Sequence, residues 1–112
     1  MVIGIDQSLT CTGIAFLWPD GNHVLRIVTS KPGPIEPRLL AITRAICAHI
    51  RESGETPALI VMEGLSAGSF GSTTSILELA GLHHLLRVQF YSQNIPIRIV
   101  APSALKKFVC GS

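Results

Sequence analysis

Two hydrophobic periods divide the chain. Val2, Ile3, Gly4 and Ile5 make a nearly unbroken apolar run that stops at Asp6, which predicts a first strand. Ser8 and Thr10 favour a turn, and Gly13 to Trp18 reads as a second strand. The segment "PDGN" at 19–22 is a turn signal, and Val24 to Val28 alternates as a third strand. Two strands joined by a short Asp-Gly turn predict a hairpin. After the breaker-rich loop "SKPGPIEP", the period changes. Ile35, Leu39, Ile42, Ile46 and Ile50 recur at steps of three and four and define one helix face. The segment "ESGETP" ends that helix, and Ala58 to Met62 is a short apolar strand running into Glu63.

Residues 64–74, "GLSAGSFGSTT", form a Gly/Ser/Thr loop. Ser75 and Glu78 match a capping box ahead of an apolar segment. The helix so begun runs to about Gln93, with Ile76, Leu79, His83, Leu86 and Phe90 on one face, until Asn94 and Pro96 stop it. Ile97 to Val100 is a fifth strand, and a short helical segment, Ser103 to Phe108, follows. The order β-β-β-α-β-α-β-α predicts an α/β fold. The expected architecture is a mixed five-stranded sheet, an antiparallel meander of strands 1–3 followed by parallel strands 4 and 5, with helices on both faces.

Composition narrows the picture. At 112 residues the chain is expected to be one domain. With 47% hydrophobic and 14% charged residues it buries a core and is not disordered. A net charge of +2 neither demands nor excludes a nucleic-acid partner. Cys11, Cys47 and Cys110 are widely spaced with no C-x-x-C pair, which argues for reduced thiols and against a zinc site or disulfide framework. The N-terminus lacks the pattern of a signal peptide. No apolar run approaches the roughly 20 residues that span a bilayer. The expectation is a cytoplasmic protein with no membrane association.

Two carboxylates share one context. Asp6 ends the run "VIGI" and Glu63 ends the run "ALIVM". A carboxylate beside apolar surface is costly unless something pairs with it. Each therefore either caps the turn that follows or holds a cation. In open α/β sheets, ligands gather at the carboxyl ends of strands. If strands one and four are parallel neighbours, the two acids face each other, and Mg²⁺ is the natural partner for such hard oxygens.

Three segments carry a resemblance. "GIDQSLTCTGIA" at 4–15 resembles the opening motif of RuvC-like Holliday junction resolvases, of the RNase H-like superfamily. "IVMEGLSAGSFG" at 60–71 resembles their second acidic motif, and "IPIRIVAPSALKKFVCG" at 95–111 is similar to the strand and helix that follow in the short, phage-type members. The resemblance covers essentially the whole chain. It implies an RNase H-like fold and a structure-specific endodeoxyribonuclease acting on Holliday junctions or other branched DNA in recombination and repair. It implies Mg²⁺, with Mn²⁺ as substitute, held by Asp6 and Glu63 as catalytic, metal-binding carboxylates, and a homodimer. Two departures stand out. Gln7 replaces the proline that usually follows the aspartate, a change expected to be tolerated in a turn. The later helix with further acids is also missing, because no acid follows Glu78. The expectation is a domain truncated before its last catalytic helix, with activity much reduced or absent.

The remaining candidates are weaker in pattern. Phe70 lies in the glycine-rich loop, either to insert at a DNA junction or to pack back before the helix. Ser69, Ser72 and Thr73 are candidate phosphate contacts, as are Arg98, Lys106 and Lys107. Adjacent lysines are more often simply solvated. The helix from Ile76 to Phe90 is apolar almost all round, which predicts burial on more than one side. Ile76, Leu79, His83 and Leu86 are the expected dimer interface, by two-fold self-contact, with His83 alternatively a core histidine. Two rival functions remain. One is a RuvC-like domain that binds branched DNA without cutting. The other is an actin-like ATP-binding domain, whose opening strand and turn look similar but which needs a much longer chain.

Overall fold

The computed structural model describes residues 1–65 and 73–101. Five strands form one sheet: β1 (Val2–Asp6), β2 (Cys11–Leu17), β3 (His23–Thr29), β4 (Leu59–Glu63) and β5 (Ile97–Val100). Two helices, α1 (Ile35–Glu52) and α2 (Thr73–Ser92), complete the described elements. The spatial order is β3-β2-β1-β4-β5. β1, β2 and β3 pair antiparallel, whereas β4 pairs parallel to both β1 and β5. The mixed five-stranded sheet is the one expected from the sequence.

The turns follow from local chemistry. Between β2 and β3, Gly21 takes φ +90°, and its N–H donates to the Trp18 carbonyl. Asp20 Oδ1 accepts from the Asn22 N–H at 2.9 Å. At the end of α1, Gly54 takes φ +75° and donates to the Arg51 carbonyl, closing the helix. At the end of α2, Asn94 plays the same part at φ 59°, and Ile95 N–H reaches back to the Phe90 carbonyl. Side-chain hydrogen bonding lets Asn occupy this left-handed region more readily than most residues. The helix α2 starts at Thr73, two residues before the expected cap, so Ser75 lies within its first turn.

The core lies between the sheet and both helices. Ile3, Ile5, Ile14, Phe16, Ile60 and Met62 from the sheet meet Ile42, Ile46 and Ile50 of α1 and Leu82, Leu86 and Phe90 of α2. Side chains alternate along a strand, so Asp6 and Glu63 belong to the opposite face. Of the helices expected on both faces, the two described ones share one face. The reason is handedness. The β3-α1-β4 and β4-α2-β5 crossovers both advance toward the β5 edge, and right-handed crossovers advancing in one direction lay their helices on one side. The short segment expected at Ser103–Phe108 lies outside the described residues.

Candidate metal and nucleic-acid site

The site begins with a strand register. Ile5 of β1 pairs with Met62 of β4, so Asp6 and Glu63 are the next residues on neighbouring parallel strands. Strands in a sheet lie about 4.8 Å apart, which puts both carboxylates within reach of one cation. Both residues are half-buried. On the other side of Asp6 the antiparallel partner is Gly13. A Cβ at Gly13 would stand 4.0 Å from the Asp6 Cβ, so glycine leaves a cradle open beside the carboxylate. Gly4 and Val61 continue this face behind the pair.

Hydrogen bonds fasten the turn after Asp6. Ser8 N–H donates to Thr12 Oγ1 at 3.1 Å, and the Thr12 hydroxyl donates to the Ser8 carbonyl at 2.8 Å. Arg38 reaches over from α1, and its Nη2 donates to the Leu9 carbonyl at 2.7 Å. Ser30 N–H donates to the Thr10 carbonyl. The loop is thereby fastened both to α1 and to the end of β3.

Gln7 is the residue whose role the sequence did not disclose. It is 6% exposed rather than a solvated turn residue. Its Nε2 lies 2.6 Å from the Glu63 carbonyl oxygen and 2.9 Å from His83 Nδ1. His83, 2% exposed, belongs to the core. Its pKa is held below the ordinary 6.5, first by burial and then by the positive charges of Arg87 and His84. The only advance signal was an amide-bearing residue beside Asp6, and His83 lies 76 positions away in sequence.

The other predicted residues fall into three groups. Arg98 is exposed on β5 and pairs in register with Val61, which puts it on the same face as Glu63. Ser69, Phe70, Ser72, Lys106 and Lys107 lie outside the described residues, and Thr73 is the first residue of α2. Two of the expected dimer residues, His83 and Leu86, need correction. Leu86 and His83 are consumed by the chain's own core, and Leu79 packs against it; Ile76 is half-buried. The chosen helical face was the one that packs on the sheet. The outward face carries Leu77 (66% exposed), Leu85, Val88 (66%) and Tyr91 (80%).

Two carboxylate oxygens sets at adjacent strand ends, with a glycine cradle beside one of them, fit a hard divalent ion that keeps waters in its remaining positions. Among the described residues there is no group of three His, Cys, Asp or Glu side chains placed to hold a metal. Cys47 is a core residue whose thiol pKa is pushed up by burial against the opposing pull of Arg51. No helix of the described residues is long and apolar enough to cross a membrane.

No family model matches the sequence, and no curated protein does. Solved structures do. RuvC of T. thermophilus in complex with Holliday junction substrate superposes with a TM-score of 0.75 at 13% identity, over 98% of this chain and 78% of that one. The fold is that of the RuvC resolvases. A second Thermus thermophilus RuvC structure gives a TM-score of 0.63 at 18% identity, over 98% of this chain and 69% of its own. The yeast mitochondrial Holliday junction resolvase Ydc2 gives 0.55 at 16% identity, over 89% of this chain and 49% of its own. The RuvC-like, RNase H-like sheet expected from the sequence is thus present, with Asp6 and Glu63 at the carboxyl ends of its β1 and β4.

Proposed function

We propose that this chain is a RuvC-like domain that recognises branched DNA, the four-way Holliday junction above all, and that Asp6 and Glu63 hold Mg²⁺, or Mn²⁺ in its place, for phosphodiester hydrolysis. The observation that carries this reading is the pairing of two carboxylates on neighbouring parallel strand ends, in a sheet with the RuvC fold. A bound divalent ion would activate water and offset charge at the phosphodiester. The chain's own residues do the rest. Asp6 and Glu63 hold the ion, Gly13 leaves it room, and the fastened turn 7–12 presents backbone to a phosphate. Arg98 supplies a positive charge on the same face for the DNA backbone. Ser69, Phe70, Ser72, Thr73, Lys106 and Lys107 extend the DNA contact. The free thiols Cys11 and Cys47 suit a cytoplasmic setting.

The protein acts as a homodimer, and the outward stripe of α2, Leu77, Leu85, Val88 and Tyr91, is the self-contact. A two-fold symmetric dimer presents two such sites to a two-fold symmetric junction.

A second reading is binding without cutting. It is favoured by the two-carboxylate site, since no third ligand joins the pair among the described residues. The 112-residue chain should therefore cleave weakly or not at all. One experiment separates the readings: gel-shift and strand-scission assays on a synthetic four-way junction and a linear duplex, with Mg²⁺ or Mn²⁺. Junction-selective binding with scission that Asp6→Asn abolishes supports the nuclease. Junction-selective binding with no scission supports the binding protein. Equal, weak affinity for both DNAs overturns both.

A further inference from the structure

We propose that Gln7 and His83 form a buried clamp that fixes the backbone at Glu63 and so aims its carboxylate toward Asp6. The inference rests on the reading of Asp6 and Glu63 as a shared cation site, and it gives Gln7 a positioning role.

The geometry singles out one peptide group. The β1–β4 ladder ends at Ile5 and Met62. Beyond it, the Glu63 carbonyl oxygen accepts a proton from Gln7 Nε2 at 2.6 Å. The N–H of the same peptide unit, on Gly64, donates to the Val100 carbonyl at 2.8 Å. The Glu63–Gly64 peptide is therefore pinned from both neighbouring strands, on one side by a side chain and on the other by backbone. Gly64 suits this close approach. A Cβ there would meet Ile99 Cγ2 at 3.3 Å and the Val100 carbonyl oxygen at 3.4 Å.

The Glu63 carbonyl sets the direction of the Gln7 amide, and the amide in turn sets the tautomer of His83. Both short contacts are made by Nε2. Exchanging the amide's oxygen and nitrogen would put two acceptors 2.6 Å apart at the Glu63 carbonyl, so nitrogen occupies that position. It donates one proton to Glu63 and the other to His83 Nδ1. Neutral imidazole has one bare nitrogen, so the proton of His83 is on Nε2. Arg87 Nη1 stands 3.5 Å from that Nε2, at the limit of hydrogen bonding, and cannot also donate to it. Gln7 Oε1 is buried without a partner among the described residues. Leaving a buried acceptor unmet is costly, and the two bonds made by Nε2 are what the geometry retains instead. Proline, which has no side-chain donor, could make neither bond.

The test uses the intact chain and the isosteric variant Gln7→Met, which keeps length and loses both donors. Mn²⁺ binding is read by electron paramagnetic resonance, and amide hydrogen exchange is read at Gly64 with Ile60 as reference. Wild type should bind Mn²⁺, Asp6→Asn should lose it, and Gln7→Met should weaken it by about tenfold, the lower end of what indirect supports of metal ligands cost. Gly64 should exchange faster in Gln7→Met while Ile60 does not. The core variant Leu86→Val should lower thermal stability and leave Mn²⁺ affinity alone. Unchanged Mn²⁺ affinity in Gln7→Met overturns the clamp. If wild type binds no Mn²⁺, the cation reading fails, and unchanged Gly64 exchange then overturns the clamp by itself. Should Gln7→Met not fold, the ¹⁵N spectrum of His83 in wild type decides. A proton on Nε2 upholds the clamp, and a proton on Nδ1 overturns it, because Gln7 could not then donate.

Discussion

At the scale of single residues, the polar groups around the site are held by short, buried contacts, and this makes their loss measurable. Thr12 is fully buried and its hydroxyl both accepts from Ser8 N–H and donates to the Ser8 carbonyl. Thr12→Val keeps the shape and leaves two backbone groups unmet, which should cost about 1–3 kcal/mol in urea unfolding. His83 gives a pH dependence with a definite sign. Its folded-state pKa lies below the ordinary 6.5 through burial, Arg87 and His84. The unfolded chain therefore takes up the proton first as pH falls. The stability that neutral His83 contributes is fully present above about pH 6.5 and is lost as pH falls through the folded value. The melting temperature should decline on acidification below that point, and His83→Gln should flatten the decline. An undiminished slope in the variant would assign the acid sensitivity to other groups.

At the scale of elements, what was legible depended on whether a signal was local. The α1 start at Ile35 and β5 from Ile97 to Val100 coincide with their sequence periods. The strand β2 begins at Cys11 rather than Gly13, because Thr12 and Cys11 pair with Val28 and Thr29 at the end of β3. The capping box at Ser75 gave way to a start at Thr73. Helix ends make a prediction of their own. Gly54 at φ +75° has open space around its missing Cβ, so Gly54→Ala incurs conformational strain alone, about 1–2 kcal/mol. Chemical denaturation should show that loss with an unchanged denaturant slope. In α2, Phe90 is fully buried in the core, and Phe90→Ala should cost about 3–5 kcal/mol by the same measurement.

At the scale of the whole molecule, the two faces of α2 decide different things. Its inner face, Leu82, Leu86 and Phe90, builds the core, and its outer face leaves Leu77, Val88 and Tyr91 in solvent. In the proposed dimer, the double variant Leu77→Glu/Val88→Glu should elute as a monomer with its helical content intact, as read by light scattering and circular dichroism. A dimer that survives both charges would remove α2 from the interface. The sheet makes the complementary division. One face carries the helices. The other carries Asp6, Glu63 and Arg98 at and near the strand ends, and small residues, Gly13 and Ala15, stand beside them on β2.

The elements, their order and the two acids at strand ends were legible in the chain alone, and the β-α alternation added the sheet's mixed pairing through the rules of connection. Those follow from local periodicity and from turn chemistry at Gly21, Gly54 and Asn94, which acts between residues close along the chain. Tertiary structure alone decided three things. Both described crossovers run one way, so both helices lie on one face. Which side of the almost uniformly apolar α2 is spent on the core was settled by packing, not by period. Gln7 became a buried clamp rather than a turn residue, because its partners, the Glu63 carbonyl and His83, lie 56 and 76 positions away. A hydrogen bond across that distance exists only once the strands and α2 have been brought together.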